Sequence, residues 1–307
     1  MIGIDVGGAN LKVVSGERVH VYYCPLWDQA PLRELLLPHA GDQDAAVVMS
    51  GELADCFSSK ADGIAFIVSQ VRSVFPHARF YGMDGRFHQD PVPALAAANW
   101  LVMADLLKDR YPDALLIDMG STTTDIIPLN SFKTMIGQTD LTRLQQGYLV
   151  YSGLLRTPAA TLVSSVRVNG RDTPVSSEYF ASTGDAFVVA GTIPAVLFTA
   201  ETADRKGVDA LSCMRRLARV VCADLEEIGE DGAREIAFSL IAALKNRVSM
   251  AAREASRRHH TSRIVTAGIG SGIVADWLDG IDLSEELGDY AHALPAWAAR
   301  EVAARTG

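Results

Sequence analysis

The feature that most constrains the fold of this chain is a short pattern that occurs twice. Residues 4–14 read IDVGGANLKVV and residues 117–127 read IDMGSTTTDII. In each, an apolar run ends at an Asp that is followed two residues later by Gly, then by small polar residues and a second apolar run. Apolar runs joined by a glycine-containing turn are typical of a β-hairpin. Two similar hairpins so far apart in one chain predict a duplicated structure.

The rest of the chain alternates between predicted helices and strands, which favours an α/β protein. Apolar residues at helical spacing predict helices over 63–75 and 93–109. A length of 307 residues favours two domains. We therefore expect two lobes, residues 1–112 and 113–307. The second lobe includes a mixed insert at about 131–207, and the last helix is expected to pack back on the first lobe.

Composition excludes several classes of protein. A net charge of -9 argues against a nucleic-acid binder, whose affinity depends on basic groups. Four cysteines without a CxxC pair predict neither a disulfide framework nor a zinc site. We also expect a cytoplasmic protein with no membrane contact, because no basic leader or long apolar stretch is visible. The alanine-rich carboxyl-terminal helix offers a surface for a homodimer.

The two Asp–x–Gly turns are suited to binding phosphate groups. A carboxylate at the end of a strand can hold a magnesium ion, so Asp5 and Asp118 are the predicted metal ligands and catalytic groups. Lys12 adds a positive charge and is predicted to be catalytic as well. Glycines allow close approach of a ligand, and successive N–H groups form a concave anion site. The predicted phosphate-binding residues of the two turns are Gly7, Gly8, Asn10, Gly120, Ser121, Thr122, Thr123, Thr124 and Asp125.

A third glycine-rich turn, AGIGSG at 267–272, follows a predicted strand and precedes a predicted helix. A helix N-terminus after such a turn is suited to a phosphate or nucleoside. The residues expected to contribute are Gly268, Gly270, Ser271 and Gly272.

Four further residues lie outside these turns. Arg156 is a candidate for binding substrate through a phosphate or a carboxylate, with a structural salt bridge as the alternative. Asp185 is a candidate general base or metal ligand, with a turn-forming role as the alternative. Ser50 and Glu52 predict the start of a helix.

The segments IDVGGANLK, IDMGSTTTD and TAGIGSG resemble the phosphate-1, phosphate-2 and adenosine segments of the actin–sugar kinase–heat-shock 70 superfamily. This resemblance implies a two-lobed actin-like ATPase fold of the ribonuclease H-like type. Such a fold has a duplicated mixed five-stranded sheet and a central cleft for the ligand. Each lobe would then contribute one phosphate-facing hairpin.

A narrower resemblance rests on MSGELADCF, YGMDGRF, AAANWL and YSGLLRTP. Together with the second hairpin, these segments resemble the hydantoinase A/oxoprolinase-related branch. Within it they resemble the tetrahydromethanopterin-linked C1-transfer pathway proteins, whose archaeal relatives include a synthase of methanofuran biosynthesis. The resemblance implies a transferase that condenses an aminomethylfuran diphosphate with the phenol of a γ-glutamyltyramine- or tyrosine-type acceptor and releases pyrophosphate. The implied partners are these two small molecules, with Mg²⁺ as cofactor.

Two alternatives stay open at this point. The wider superfamily suggests an ATP-dependent small-molecule kinase or amidohydrolase, although Ile269 departs from the usual kinase pattern and makes ATP the less favoured ligand. The other alternative is a nucleotide-binding sensor without turnover. Intact Asp5, Lys12, Asp118 and Asp125 argue against such an inactive site.

Overall fold

The computed structural model describes residues 1–41 and 44–306 and contains two mixed β-sheets. The strands of the first sheet are β1 (Ile2–Val6), β2 (Asn10–Ser15), β3 (Arg18–Tyr23), β4 (Ala45–Met49), β5 (Arg79–Tyr81) and β6 (Phe87–His88). They are ordered β3-β2-β1-β4-β5-β6. The strand β1 runs antiparallel to β2 and parallel to β4.

The remaining strands belong to the second half of the chain. They are β7 (Ala114–Met119), β8 (Thr124–Pro128), β9 (Leu149–Val150), β10 (Ser165–Val168), β11 (Arg171–Pro174), β12 (Arg263–Ala267) and β13 (Ile281–Asp282). Five of them form the second sheet in the order β13-β12-β7-β8-β9, while β10 and β11 pair separately. The strand β7 runs antiparallel to β8 and parallel to β12.

The two sheets share one topology. In the first sheet, β2 and β3 lie on one side of β1 in antiparallel pairing, and β4 and β5 lie on its other side in parallel pairing. In the second sheet, β8 and β9 lie on one side of β7 in antiparallel pairing, and β12 and β13 lie on its other side in parallel pairing. This confirms the predicted duplicated mixed sheet. The first sheet differs from the prediction by one short strand, β6. The chain turns back after β5, where the Gly82 N–H donates to the Arg86 carbonyl at 2.8 Å, and so places Phe87 beside β5.

Helices cover the faces of both sheets. They are α1 (Leu32–Leu36), α2 (Lys60–Arg72), α3 (Asn99–Leu107), α4 (Phe132–Met135), α5 (Asp140–Gln146), α6 (Ala159–Leu162), α7 (Thr183–Val189), α8 (Ala210–Arg219), α9 (Leu225–His259), α10 (Ser271–Leu278), α11 (Leu283–Leu287) and α12 (Leu294–Thr306). The helices predicted over 63–75 and 93–109 correspond to α2 and α3. The second begins later than expected because Pro93–Leu95 forms a separate 3₁₀ turn. Within the described ranges, no helix is long and apolar enough to cross a membrane.

Side-chain alternation along β4 separates two cores. Ala46 and Val48 face a large core that also contains α3 and the second sheet, whereas Val47 and Met49 face a smaller core under α1 and α2. The last helix, α12, packs against β1, β4 and α3, so the end of the chain covers the first sheet.

We predict that Gly3→Ala destabilises the protein by about 1–3 kcal/mol or more, as overpacking of a core does. A Cβ at position 3 would lie 1.9 Å from the carbonyl oxygen of Ala296 and would force α12 away from β1. Urea unfolding measures the change. The matched control is Gly41→Ala, because no described atom beyond its chain neighbours lies within 4 Å of that Cβ. Equal stability of the two variants would contradict this packing of α12.

Candidate functional site between the two hairpins

The β1–β2 and β7–β8 hairpins have the same turn. In the first, the Gly7 N–H donates to the Asn10 carbonyl at 3.0 Å. In the second, the Gly120 N–H donates to the Thr123 carbonyl at 2.9 Å. Both turns are half-buried at their tips, so a ligand can reach them.

The carbonyl groups of the first turn accept hydrogen bonds from the segment that follows β3. The Gly8 and Ala9 carbonyls accept hydrogen bonds from the N–H groups of Leu26 and Cys24, at 3.0 and 2.9 Å. Leu26 and Cys24 follow β3, the neighbour of this hairpin in the sheet. The segment after β3 therefore fixes the orientation of the turn.

The second turn is held by the segment after β9 in the same way. The Gly120 carbonyl accepts from the Leu154 N–H at 3.0 Å, and the Ser121 carbonyl accepts from the Arg156 N–H at 2.9 Å. Gly153 makes this contact possible, since a Cβ there would lie 2.6 Å from the carbonyl carbon of Thr122. This explains the glycine in YSGLLRTP.

With the carbonyls occupied, the N–H groups of the two turns remain available. Across residues 1–41 and 44–306, no protein group accepts a hydrogen bond from the backbone N–H of Gly8, Ala9, Ser121, Thr122 or Thr123. Unpaired N–H groups in succession form a concavity that attracts anions. Each lobe therefore has one turn whose N–H groups are suited to an anion.

Asp5 lies at the base of the first turn. The carboxylate is 4% exposed, and its Oδ2 lies 3.8 Å from the ammonium of Lys12, the residue opposite it on β2. Its Oδ1 is buried with no hydrogen-bond partner among the described residues. Burial raises the pKa of Asp5, and Lys12 opposes this rise.

Asp118 occupies the equivalent place in the second lobe, but among the described residues it has no ion pair like that of Asp5 with Lys12. Its cross-strand neighbour is Asp125, where the first hairpin has Lys12. Burial, Asp125 and Asp5 raise the pKa of Asp118 to about 7, and only Lys12 acts in the opposite direction. The charge of Asp5 in the first lobe thus contributes to the raised pKa of Asp118 in the second.

The third glycine turn packs directly on Asp118. Gly268 has φ +83°, and a Cβ there would lie 2.3 Å from Oδ1 of Asp118. The Gly270 N–H donates to the Met119 carbonyl at 3.1 Å. These contacts account for both glycines without a ligand, whereas phosphate binding by Ser271 and Gly272 remains a prediction.

The two carboxylates fit a magnesium ion that is shared with a phosphate ligand. Among the described residues, no group of three His, Cys, Asp or Glu side chains could enclose a metal ion. Mg²⁺, however, is commonly held by one or two carboxylates together with substrate phosphates and water. The unpartnered Oδ1 of Asp5 provides one suitable oxygen.

Two predicted phosphate-binding residues have structural roles. Thr124 is fully buried and its hydroxyl donates to the Ser152 carbonyl at 2.8 Å. Asp125 forms an ion pair with Arg143, whose guanidinium lies 4.2 Å from the ring centre of Trp100. Both residues belong to β8 rather than to the turn, which corrects the prediction.

The predicted catalytic role of Asp185 is also corrected. Its Oδ2 accepts from the Ser182 N–H at 2.9 Å, as a cap at the start of α7. Its Oδ1 lies 2.7 Å from Nε of Arg216, which is fully buried. Burial raises the pKa of Asp185, and Arg216 opposes it. A carboxylate committed to this ion pair is unsuited to act as a base or metal ligand.

Arg156, the candidate for substrate binding, lies in the segment that holds the second turn and extends toward the first lobe. Its guanidinium is 4.9 Å from the ring centre of Trp27 in the first lobe. Together with Asn10, Tyr23 and Ser121 it lines a small opening beside both turns. Sequence reasoning missed Tyr23 and Trp27, although exposed aromatic residues are a common sign of a binding surface.

The hydantoinase/oxoprolinase family profile matches residues 44–291. The chain belongs to this family. A relative from Methanocaldococcus jannaschii is 34% identical, over 98% of this chain and 97% of its own length. A second, from Methanococcus vannielii, is 36% identical, over 57% of this chain and 78% of its own. Both are named (4-{4-[2-(gamma-L-glutamylamino)ethyl]phenoxymethyl}furan-2-yl)methanamine synthase. The predicted family is therefore confirmed.

Solved structures similar to this hydantoinase/oxoprolinase family member include a ROK family glucokinase from Streptomyces griseus in complex with glucose and AMPPNP. It is 14% identical and covers 100% of this chain and 99% of its own, with a TM-score of 0.43. A non-polymerising MamK mutant bound to AMPPNP is 12% identical and covers 97% and 98%, also with a TM-score of 0.43. At this distance the likenesses carry no argument about the ligand.

We predict that Asp118→Asn stabilises the metal-free protein at pH 8 and that the gain disappears near pH 4. Between the ordinary carboxyl pKa and about 7, the folded state binds more protons than the unfolded state, so stability falls as pH rises. Above pH 7 Asp118 is ionised in the folded protein, and its buried charge lowers the free energy of unfolding by the full amount. We expect a gain of about 1–3 kcal/mol, because a pKa unit is worth about 1.4 kcal/mol and Asp118 keeps partial access to solvent.

Urea unfolding in EDTA at both pH values measures this difference. The matched control is Asp231→Asn, whose side chain is 97% exposed. A difference between wild type and Asp118→Asn that is the same at pH 4 and pH 8 would contradict the assignment.

Proposed function

We propose that the protein is a transferase of methanofuran or methylofuran biosynthesis. It would condense an aminomethylfuran diphosphate with the phenol of a γ-glutamyltyramine- or tyrosine-type acceptor and release pyrophosphate. The observation that carries the proposal is that two turns with unpaired N–H groups among the described residues line one opening, each at the end of a strand that carries Asp5 or Asp118. The named product of the two relatives supports it, because it contains a phenoxymethylfuran.

Forming this ether defines what a site must do. The bond between the furan methylene carbon and the diphosphate oxygen breaks, and the diphosphate leaves with the electron pair. The furan ring delocalises the positive charge that develops on the methylene carbon. The phenol oxygen then bonds to this carbon and loses its proton. The protein must bind the diphosphate, stabilise its departure and orient the phenol.

The two turns can perform the first two tasks. The N–H groups of Gly8 and Ala9 would bind one end of the diphosphate, and those of Ser121 and Thr122 the other. Negative charge on the leaving group increases as the bond breaks, so fixed N–H dipoles bind the departing diphosphate more strongly than the bound substrate. A magnesium ion held by Asp5 and Asp118 would supply further charge neutralisation. Lys12 lies beside Asp5 and adds a positive charge.

The mouth of the cleft suits the organic parts of the substrates. Tyr23 and Trp27 present aromatic surface, and Arg156 presents a guanidinium next to Ser121. Arginine binds carboxylates with two parallel hydrogen bonds. A glutamyl carboxylate of the acceptor is therefore a suitable partner for Arg156.

A second candidate is an ATP-dependent kinase or amidohydrolase. This candidate is supported because the unpaired N–H groups of the two turns would suit the phosphates of a nucleotide as well as those of a furfuryl diphosphate. A nucleotide sensor without turnover would use the same contacts. These functions differ in their products, so a single assay separates them.

We expect the purified protein with Mg²⁺, an aminomethylfuran diphosphate and γ-glutamyltyramine to form equal amounts of pyrophosphate and ether product. We expect Asp5→Asn and Asp118→Asn each to lower the rate by about 10²–10³-fold, as loss of charge-stabilising groups does. Pyrophosphate release and mass spectrometry of the products measure this.

Asp231→Asn is the surface control and should react at the wild-type rate. A parallel reaction with ATP tests the second candidate. ATP turnover without ether formation by the wild type would contradict the transferase proposal, and nucleotide binding without any turnover would support a sensor.

A further inference from the structure

Glu52 is a buried carboxylate with no assigned task in the site described above. It is 2% exposed, and its Oε2 has no hydrogen-bond partner in the described part of the chain. The predicted helix start at Ser50 and Glu52 is wrong. The residues after Glu52 form turns, and α2 begins at Lys60 with Ser59 as its cap. Glu52 is therefore free of a capping role, and its burial needs another explanation.

The turn that carries Glu52 lies directly against the first hairpin. The N–H groups of Ser50 and Gly51 both donate to the Val6 carbonyl, at 3.0 and 3.1 Å. A Cβ at Gly51 would lie 2.9 Å from the carbonyl oxygen of Gly7. Glu52 thus follows immediately after a residue that contacts the phosphate-facing turn.

Two other segments hold this turn in place. Gly63 of α2 packs so closely that a Cβ there would lie 2.0 Å from the Glu52 carbonyl oxygen. Ala97, whose amide faces the Glu52 carboxylate, has φ +47°. A left-handed conformation costs a non-glycine residue about 1–2 kcal/mol, and such strain concentrates at functional sites.

The charges around Glu52 come from both lobes. Lys60 of α2 and the amides of Glu52 and Ala97 favour the ionised form, whereas Asp140 of α5 disfavours it. Burial is the largest effect and raises the pKa of Glu52. Asp140 is paired with Arg143 at 3.2 Å. Within the described ranges Glu52 has no ion pair of its own, so its buried carboxylate lacks a directly paired cation.

We propose that Glu52 is the catalytic base that receives the proton of the phenolic acceptor. This inference rests on the proposed function. As the phenol oxygen bonds to the furan methylene carbon, its O–H bond breaks and the proton passes to the unpartnered Oε2. The diphosphate has left with its electron pair, so charge and atoms balance. The proton then passes to solvent.

The test separates departure of the diphosphate from capture of the carbon by phenol. We expect Glu52→Gln to release pyrophosphate within about 3-fold of the wild-type rate. Ether formation should fall by about 10²–10⁴-fold, the usual contribution of a general base. Water would then capture the carbon, so a furfuryl alcohol would replace the ether in the mass spectrum. Glu17→Gln, at an exposed turn, is the matched control.

A series of acceptors with phenols of increasing acidity gives a second readout. A base matters less when the phenol ionises easily, so the deficit of Glu52→Gln should shrink along the series. A residue that only supports the fold would lower all rates equally. Wild-type enzyme provides a measurement that needs no variant. The ratio of ether to furfuryl alcohol that it forms should fall at acidic pH, because protonated Glu52 cannot accept the phenol proton whereas departure of the diphosphate affects both products equally.

Three results would overturn the inference. One is ether formation by Glu52→Gln at the wild-type rate with every acceptor. Another is an equal loss of pyrophosphate release and ether formation. The third is a wild-type ratio of ether to furfuryl alcohol that does not change with pH. If the wild type forms no ether at all, the proposed function itself fails, and this result is distinct from the other three.

Discussion

The site depends on one arrangement, in which neighbouring segments occupy the carbonyl groups of two hairpin turns. Neighbouring segments donate hydrogen bonds to the carbonyls of Gly8, Ala9, Gly120 and Ser121. The N–H groups at the tips of the turns have no acceptor among the described residues and are therefore available to a ligand. Beneath them, Asp5 and Asp118 are held where burial opposes their ionisation. Burying a charge without a partner is costly, so a cation bound there would lower that cost.

The duplication is not symmetric, and the asymmetry has a chemical consequence. The residue opposite Asp5 is Lys12, whereas the residue opposite Asp118 is Asp125, which is committed to Arg143. The first lobe therefore carries its own cation, and the second lobe carries a carboxyl whose pKa lies near 7. A metal ion would compensate the second lobe most. Such an asymmetric pair suits a leaving group that accumulates charge during the reaction.

Local patterns in the sequence predicted much of this fold. They did not predict contacts between side chains that are far apart along the chain. The repeated hairpins follow from alternating apolar runs and glycines, and the α2 and α3 helices follow from apolar periodicity. The role of Asp185 could not be predicted, because its partner Arg216 lies 31 residues away along the chain. The burial of Glu52 likewise depends on Gly63 and on Ala97. Such contacts arise from tertiary packing, which a local pattern does not contain.

The most direct test of the central claim is a crystal structure of the protein with pyrophosphate and Mn²⁺ in place of Mg²⁺. The anomalous signal locates the metal, and the density locates both phosphate groups. We predict one metal ion between Asp5 and Asp118 and one pyrophosphate whose oxygens accept hydrogen bonds from Gly8 or Ala9 and from Ser121 or Thr122. Pyrophosphate on one hairpin alone, or a metal ion away from both carboxylates, would contradict the account.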